Sequence, residues 1–168
     1  MDKDDMTTKI PSVQKALNRL ISEEFVAGMF YNCCLTAAPQ PSNEAFDKLF
    51  SEIAVDELND HLANLKRWAI MNDYDVPFTF KHYEKYAEEA VKQLNSIKRG
   101  KDFNYYINEA LKSEQDAIKS YEEALKDDNI PYELYVIIQQ NYYDELDHLE
   151  SLNFLNYAFS AEALVTAY

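Results

Sequence analysis

Two short phrases hold most of the reactive side chains in this sequence: "DELNDHL" at residues 56–62 and "DELDHL" at residues 144–149. Each offers a carboxylate and an imidazole, Glu57 with His61 and Glu145 with His148, and the first copy is one residue longer. Glu24 and Glu114 share a second pattern, because each is followed seven residues later by a tyrosine, Tyr31 and Tyr121. Carboxylate and imidazole together suit iron, manganese or zinc. One Glu from each of two helices, plus a Glu and His from each of two others, forms a two-ion carboxylate centre. A single inward Glu or His is more often a paired or hydrogen-bonded core residue. Here, however, the chain has only 3 His, two of them sit in the repeated phrase, and the glutamates recur in four segments. The third, His82, reads as structural or surface.

These residues need four helices to carry them. Gly occurs twice and Pro five times in 168 residues, which points to long helices. The segment at 12–37 presents Val13, Leu17, Leu20, Glu24, Ala27, Tyr31 and Cys34 at alternating steps of four and three, an inward stripe with Glu24 inside it. The segment at 103–127 presents Phe103, Ile107, Ala110, Glu114, Ala117, Tyr121 and Ala124 at the same steps. The segment at 131–157 presents Leu134, Ile138, Asn141, Glu145, His148, Leu152 and Leu155, continuing to Phe159. Between them, "AAPQPSNE", "NDYDVP" and "DDNIP" break the helices, and Ser42 or Asn43 can cap the segment at 43–72.

That second segment begins on the same pattern with Phe46, Phe50, Ile53 and Glu57, and then slips. Continuing through Asp60 puts Asn64 and Arg67 in the core, whereas continuing through His61 puts Leu65 and Trp68 there. The apolar pattern favours His61 over Asp60 as the inward residue. One extra residue can be absorbed by a π-bulge, a local i→i+5 turn common at functional sites. A bulge between Glu57 and Leu62 is therefore expected. Four carboxylates in one core are tolerated only if paired, protonated or metal-bound, and Arg19, Arg67 and Arg99 all fall off the stripes. Asp56, Asp60, Asp144 and Asp147 are candidates to orient the imidazoles from outside.

The expected fold is all-α, a four-helix bundle in one domain. Residues 1–10 form a flexible start, and 158–168 form a tail or short fifth helix. The halves repeat, with 57 − 24 = 33 and 145 − 114 = 31 residues between paired glutamates. A long crossover joins them, and its middle, "KHYEKYAEEAVKQL", is amphipathic and expected to form a short helix. A net charge of −14 argues against nucleic acid as a partner. No apolar run is long enough for a membrane. The adjacent pair Cys33 and Cys34 matches no disulfide or CxxC pattern, so a reducing, cytoplasmic setting is expected.

The chain resembles the ferritin-like superfamily, and bacterioferritin and related mini-bacterioferritins within it. "LNRLISEEFVAGMFY" is similar to the bacterioferritin first helix, "SEQDAIKSY" to the third and "DELDHL" to the fourth, covering about residues 12–157. The resemblance implies a ferroxidase that oxidises Fe(II) with dioxygen or peroxide for iron storage or detoxification. It implies two Fe ions on Glu24, Glu57, His61, Glu114, Glu145 and His148, with catalytic roles for the four glutamates and for Tyr31. By burial preference alone, Tyr31 and Tyr121 read first as core aromatics. Glu57 with Glu114, or Glu57 with Glu145, could bridge the ions, and the resemblance favours the latter. It also implies a homo-oligomer. The haem-ligating Met of bacterioferritin is replaced by Leu58, so no haem is expected. The other readings are a di-iron redox enzyme of rubrerythrin or oxygenase type, and a ferritin-like structural protein in a larger assembly.

Overall fold

A computed structural model describes residues 12–76, 92 and 94–165. Among them every regular element is helical: α1 (Ser12–Ala37), α2 (Glu44–Val55), a π-helical turn (Asp56–His61), α3 (Leu62–Met71), α4 (Phe103–Leu125) and α5 (Tyr132–Val165). The breaks fall where the chain chemistry puts them. Asn43 caps α2 by accepting from the backbone N–H groups of Ala45 and Phe46, and Asp102 caps α4 by accepting from Tyr105. Asp73, at φ 59°, turns the chain out of α3.

α2, the π turn and α3 form one rod, because the backbone stays helical at Asp56 (φ −60°, ψ −45°) and at Leu62 (φ −57°, ψ −47°). The Leu62 N–H reaches back five residues to the Glu57 carbonyl. The expected bulge is therefore present. It buries His61 and leaves Asp60 exposed, while Leu65 and Ala69 stay in the core. The wider turn also needs room on α1. Gly28 faces it, and a Cβ there would lie 2.3 Å from Leu58 Cγ. The matching position in the second half, where there is no π turn, is Ile118.

Side-chain pairs fix the helix directions. Tyr31 meets Glu114 and Tyr121 meets Glu24, so α1 and α4 are antiparallel. Asp56 meets His148 and Asp144 meets His61, so the α2–α3 rod and α5 are antiparallel too. Gln14 clasps the backbone of Asp75 at one end of the α1–α3 pair, and Tyr31 packs on Phe50 toward the other. The rod and α4 therefore run parallel. The proposed crossover helix, His82 and the first ten residues lie outside the described residues.

One boundary and two inward positions differ from expectation. α5 runs on to Val165 and does not stop near 157, because residues 158–165 contain no Gly or Pro and Phe159 still packs on Phe103, ring centroids 5.4 Å apart. Ala27 and Ala117 are only half-buried, and the next residues, Gly28 and Ile118, turn further inward.

The apolar core comes in two parts. One gathers Leu17, Leu20, Leu65, Leu134 and Ile138, and the other gathers Phe46, Phe50, Ile53, Tyr106 and Leu152. Between them lies a buried polar layer of Glu24, Glu57, His61, Glu114, Asn141, Glu145 and His148.

Deleting Asn59 turns "DELNDHL" into a copy of "DELDHL" and rotates one end of the rod by about 100° relative to the other. Leu65 and Ala69 would then leave the core. The expected outcome is a loss of roughly 2–5 kcal/mol, the scale of emptying a large aliphatic site, read from urea unfolding. An unchanged midpoint would show that the extra residue does not set the register.

Candidate metal centre

Each half of the repeat sends one Glu from its first helix and a Glu–His pair from its second into the polar layer. The four glutamates and two histidines predicted as ligands come together there. They form two overlapping groups, Glu24, Glu57, His61 and Glu145, and Glu57, Glu114, Glu145 and His148, with ligand atoms inside each group within 4.8 Å of one another. Glu57 and Glu145 belong to both groups. Of the two pairs weighed at the level of sequence, Glu57 with Glu145 is the one common to both groups.

The imidazoles point their Nδ1 atoms inward. His61 Nδ1 lies 3.3 Å from Glu24 Oε2, 3.4 Å from Glu57 Oε2 and 3.4 Å from Glu145 Oε1. His148 Nδ1 lies 3.4 Å from Glu114 Oε2 and 3.6 Å from Glu57 Oε1. The outer nitrogens cross to the opposite helix: His61 Nε2 is 3.4 Å from Asp144 Oδ2, and His148 Nε2 is 3.2 Å from Asp56 Oδ2. An aspartate on Nε2 favours the tautomer that leaves Nδ1 free as an electron-pair donor. Asp56 and Asp144, which the spacing alone left unassigned, are thus the orienting pair, while Asp60 faces solvent.

The tyrosines cross in the same way. Tyr31 donates to Glu114 Oε1, and Tyr121 donates to Glu24 Oε1. Both are core aromatics that also hold a glutamate of the polar layer, so Tyr31 reaches that layer through Glu114. Asn141 donates from Nδ2 to the Tyr121 hydroxyl at 3.0 Å. Its role was not read from the sequence, although a polar residue in an apolar stripe one turn before Glu145 was a visible signal. Glu23 is half-buried, and it accepts from Ser120 at 3.0 Å and from Arg19 at 3.1 Å.

Protein groups do not satisfy this layer. Both oxygens of Glu57, both of Glu145, one of Glu114 and Nδ1 of His148 are buried without a hydrogen bond. Such orphaned atoms are rare in native structures and call for an explanation, an ion among them. Among the described residues no lysine or arginine pairs with the four carboxylates. The donor set, acidic oxygens with neutral imidazole nitrogen, fits a divalent transition metal, and the cluster can hold a metal ion.

Protons take over the neutralising role when metal is absent. Burial, and then the charge of Glu24, push Glu57 well above the usual carboxylate range; burial, and then Glu57 and Glu114, do the same to Glu145. Burial also works against an ionised Glu24, but its neighbours Glu57, His61 and Tyr121 outweigh it and hold that carboxyl below its ordinary value. Burial likewise opposes charge on the imidazoles. The neighbouring carboxylates of Glu145, Glu24 and Glu57 nonetheless raise His61, and the Glu114 carboxylate raises His148 to about 9.

No protein-family model matches the chain, and no curated protein does either. Among the described residues no helix is long and apolar enough to cross a membrane.

The shifts fix a sign for pH dependence. His148 rises from 6.5 to about 9 on folding, so its contribution is complete below pH 6.5 and is lost as pH climbs through 9. Glu57 and Glu145, raised above 4.5, act in the same direction, whereas Glu24, lowered, contributes fully throughout this window. The melting temperature of the metal-free protein should therefore fall between pH 6.5 and 9. Saturating Zn²⁺ should remove the decline, because the ion replaces the protons. A flat or rising profile without metal would contradict the assigned protonation.

Proposed function

We propose that the chain is a ferritin-like di-iron protein that oxidises Fe²⁺ with dioxygen or hydrogen peroxide. The observation that carries this reading is the pair of overlapping four-residue groups sharing Glu57 and Glu145. Sharing two carboxylates lets two ions lie close together with an electron available from each. Two Fe²⁺ ions give one electron each to dioxygen, which takes up two protons and leaves as hydrogen peroxide. With peroxide as oxidant, the same two electrons and two protons yield two water molecules.

The protein's own residues set the stage for that exchange. Glu24 with His61, and Glu114 with His148, would each hold one ion, and Glu57 and Glu145, which belong to both groups, would be available to either. Asp144 and Asp56 keep the imidazole Nδ1 atoms aimed inward. Tyr121 and Tyr31 occupy one oxygen of each terminal glutamate and leave the other for metal. The apolar clusters above and below exclude water along the bundle axis.

Two surface grooves lie away from the polar layer. One lies between α1 and α4 beside Arg19 and Glu123, the other on the rod beside Leu62, Arg67 and Met71, and neither is lined by any of the six ligands. Manganese and zinc would fit the same donors without the redox cycle. A homo-oligomer belongs to this reading. The exposed side chains of Ile70, Met71, Phe154 and Tyr157 are apolar surface that such an assembly would cover.

Anaerobic addition of Fe²⁺ should saturate near two ions per chain, and admission of oxygen should oxidise them within seconds to minutes. Glu57→Ala and Glu145→Ala, each removing a ligand common to both ions, should each slow oxidation by at least about 100-fold, the upper range for loss of an outer-sphere partner. Wild-type rates in both variants would reject the reading.

A further inference from the structure

We propose that Asn141 is a positioning residue that makes the two halves of the centre unequal: it locks the Tyr121 hydroxyl onto Glu24, so that the Glu24–His61 subsite takes a divalent cation before the Glu114–His148 subsite. This deepens the two-ion reading and rests on it.

The repeat by itself would make the subsites alike. Each has a tyrosine on its terminal glutamate and an aspartate on its imidazole, contributed from the other half. The symmetry fails one turn before the shared glutamates. There α5 carries Asn141 (145 − 141 = 4) and the rod carries Ile53 (57 − 53 = 4). Asn141 is 2% exposed and Ile53 is 1% exposed, so both are committed to the interior.

Only the asparagine can donate. A tyrosine hydroxyl has one proton and can also accept. With the Asn141 N–H on the accepting side at 3.0 Å, the proton is directed at Glu24 Oε1. A hydroxyl that accepts one bond also donates the next more strongly. Oε2 of Glu24 is thereby left as the ligand oxygen, 3.3 Å from His61 Nδ1. In the other half the Tyr31 hydroxyl has Glu114 as its acceptor, but its ring packs edge-on against Phe50 with centroids 5.1 Å apart, and Ile53 belongs to the same apolar cluster. Among the described residues nothing equivalent to Asn141 fixes its rotation. Burial differs in the same sense, since His61 is 1% exposed and His148 7%. Preorganised ligands lose less freedom when an ion arrives, so the asparagine-backed subsite fills first.

The test is anaerobic titration of the metal-free full chain with Co²⁺, following visible absorbance and heat, with folding of each variant checked by circular dichroism. Wild type should bind in two resolved steps. Asn141→Leu should weaken the first step about tenfold, at the low end for loss of an outer partner, and leave the second in place, so that the steps merge. Ile53→Asn should tighten the second step. Asn141→Asp should also weaken the first, because the new carboxylate competes for the Tyr121 proton. In a Tyr121→Phe background Asn141→Leu should change nothing further. Unchanged first-step affinity in both Asn141 variants would overturn the inference and leave the two-ion centre standing, as would an equal loss with and without the Tyr121 hydroxyl. Absence of Co²⁺ binding in wild type would reject the centre and the inference together.

Discussion

Four glutamate side chains in the middle of a helical bundle must be neutralised, and the rest of the structure is arranged around that requirement. Burying one unpaired ion costs several kcal/mol even after relaxation. The net stability of a whole domain is only about 5–15 kcal/mol. Four such charges left alone would exceed what the two apolar clusters can offset. Among the described residues the groups facing the carboxylates are two imidazoles and two tyrosine hydroxyls, and five carboxylate oxygens remain without a hydrogen bond: two on Glu57, two on Glu145 and one on Glu114. Protons can complete the balance, and divalent cations can do so more fully because each brings two charges and several coordination positions.

The duplicated architecture supplies each partner from the far side. Tyrosine from one half holds the glutamate of the other, and aspartate from one half holds the imidazole of the other. Neither half could build its own site alone. This crossing also couples the centre to packing: a rotation of the rod moves Glu57, His61 and Asp56 together, and with them partners on α1, α4 and α5. The π turn is where the first half departs from the repeat, and Gly28 is the concession on α1 that lets Leu58 lie against it.

Much of this was legible in the residues. The alternating stripes located α1, α4 and most of α5, and the slip after Glu57 located the π turn, because only His61 kept Leu65 in phase with the core. The ligand set followed from polar residues interrupting apolar stripes at matching places. What the stripes could not show was contact between helices. Four aspartates were equally near in sequence, and only the antiparallel pairing of the rod with α5 singles out Asp56 and Asp144. The shared role of Glu145 over Glu114 depends on the same pairing. α5 outlasts its predicted end because a helix without a breaker continues as long as it finds something to pack on, and Phe159 finds Phe103. Asn141 was visible as an anomaly, but its partner, Tyr121, lies on another helix.

The most direct measurement is anomalous diffraction from crystals of the protein loaded with Mn²⁺. Two peaks should lie between the four helices, about 3.5–4 Å apart as in other two-metal sites, each within bonding distance of Glu57 and Glu145. Ions found only at surface acids, or a metal-free layer whose glutamates are bonded to other protein groups, would contradict the account.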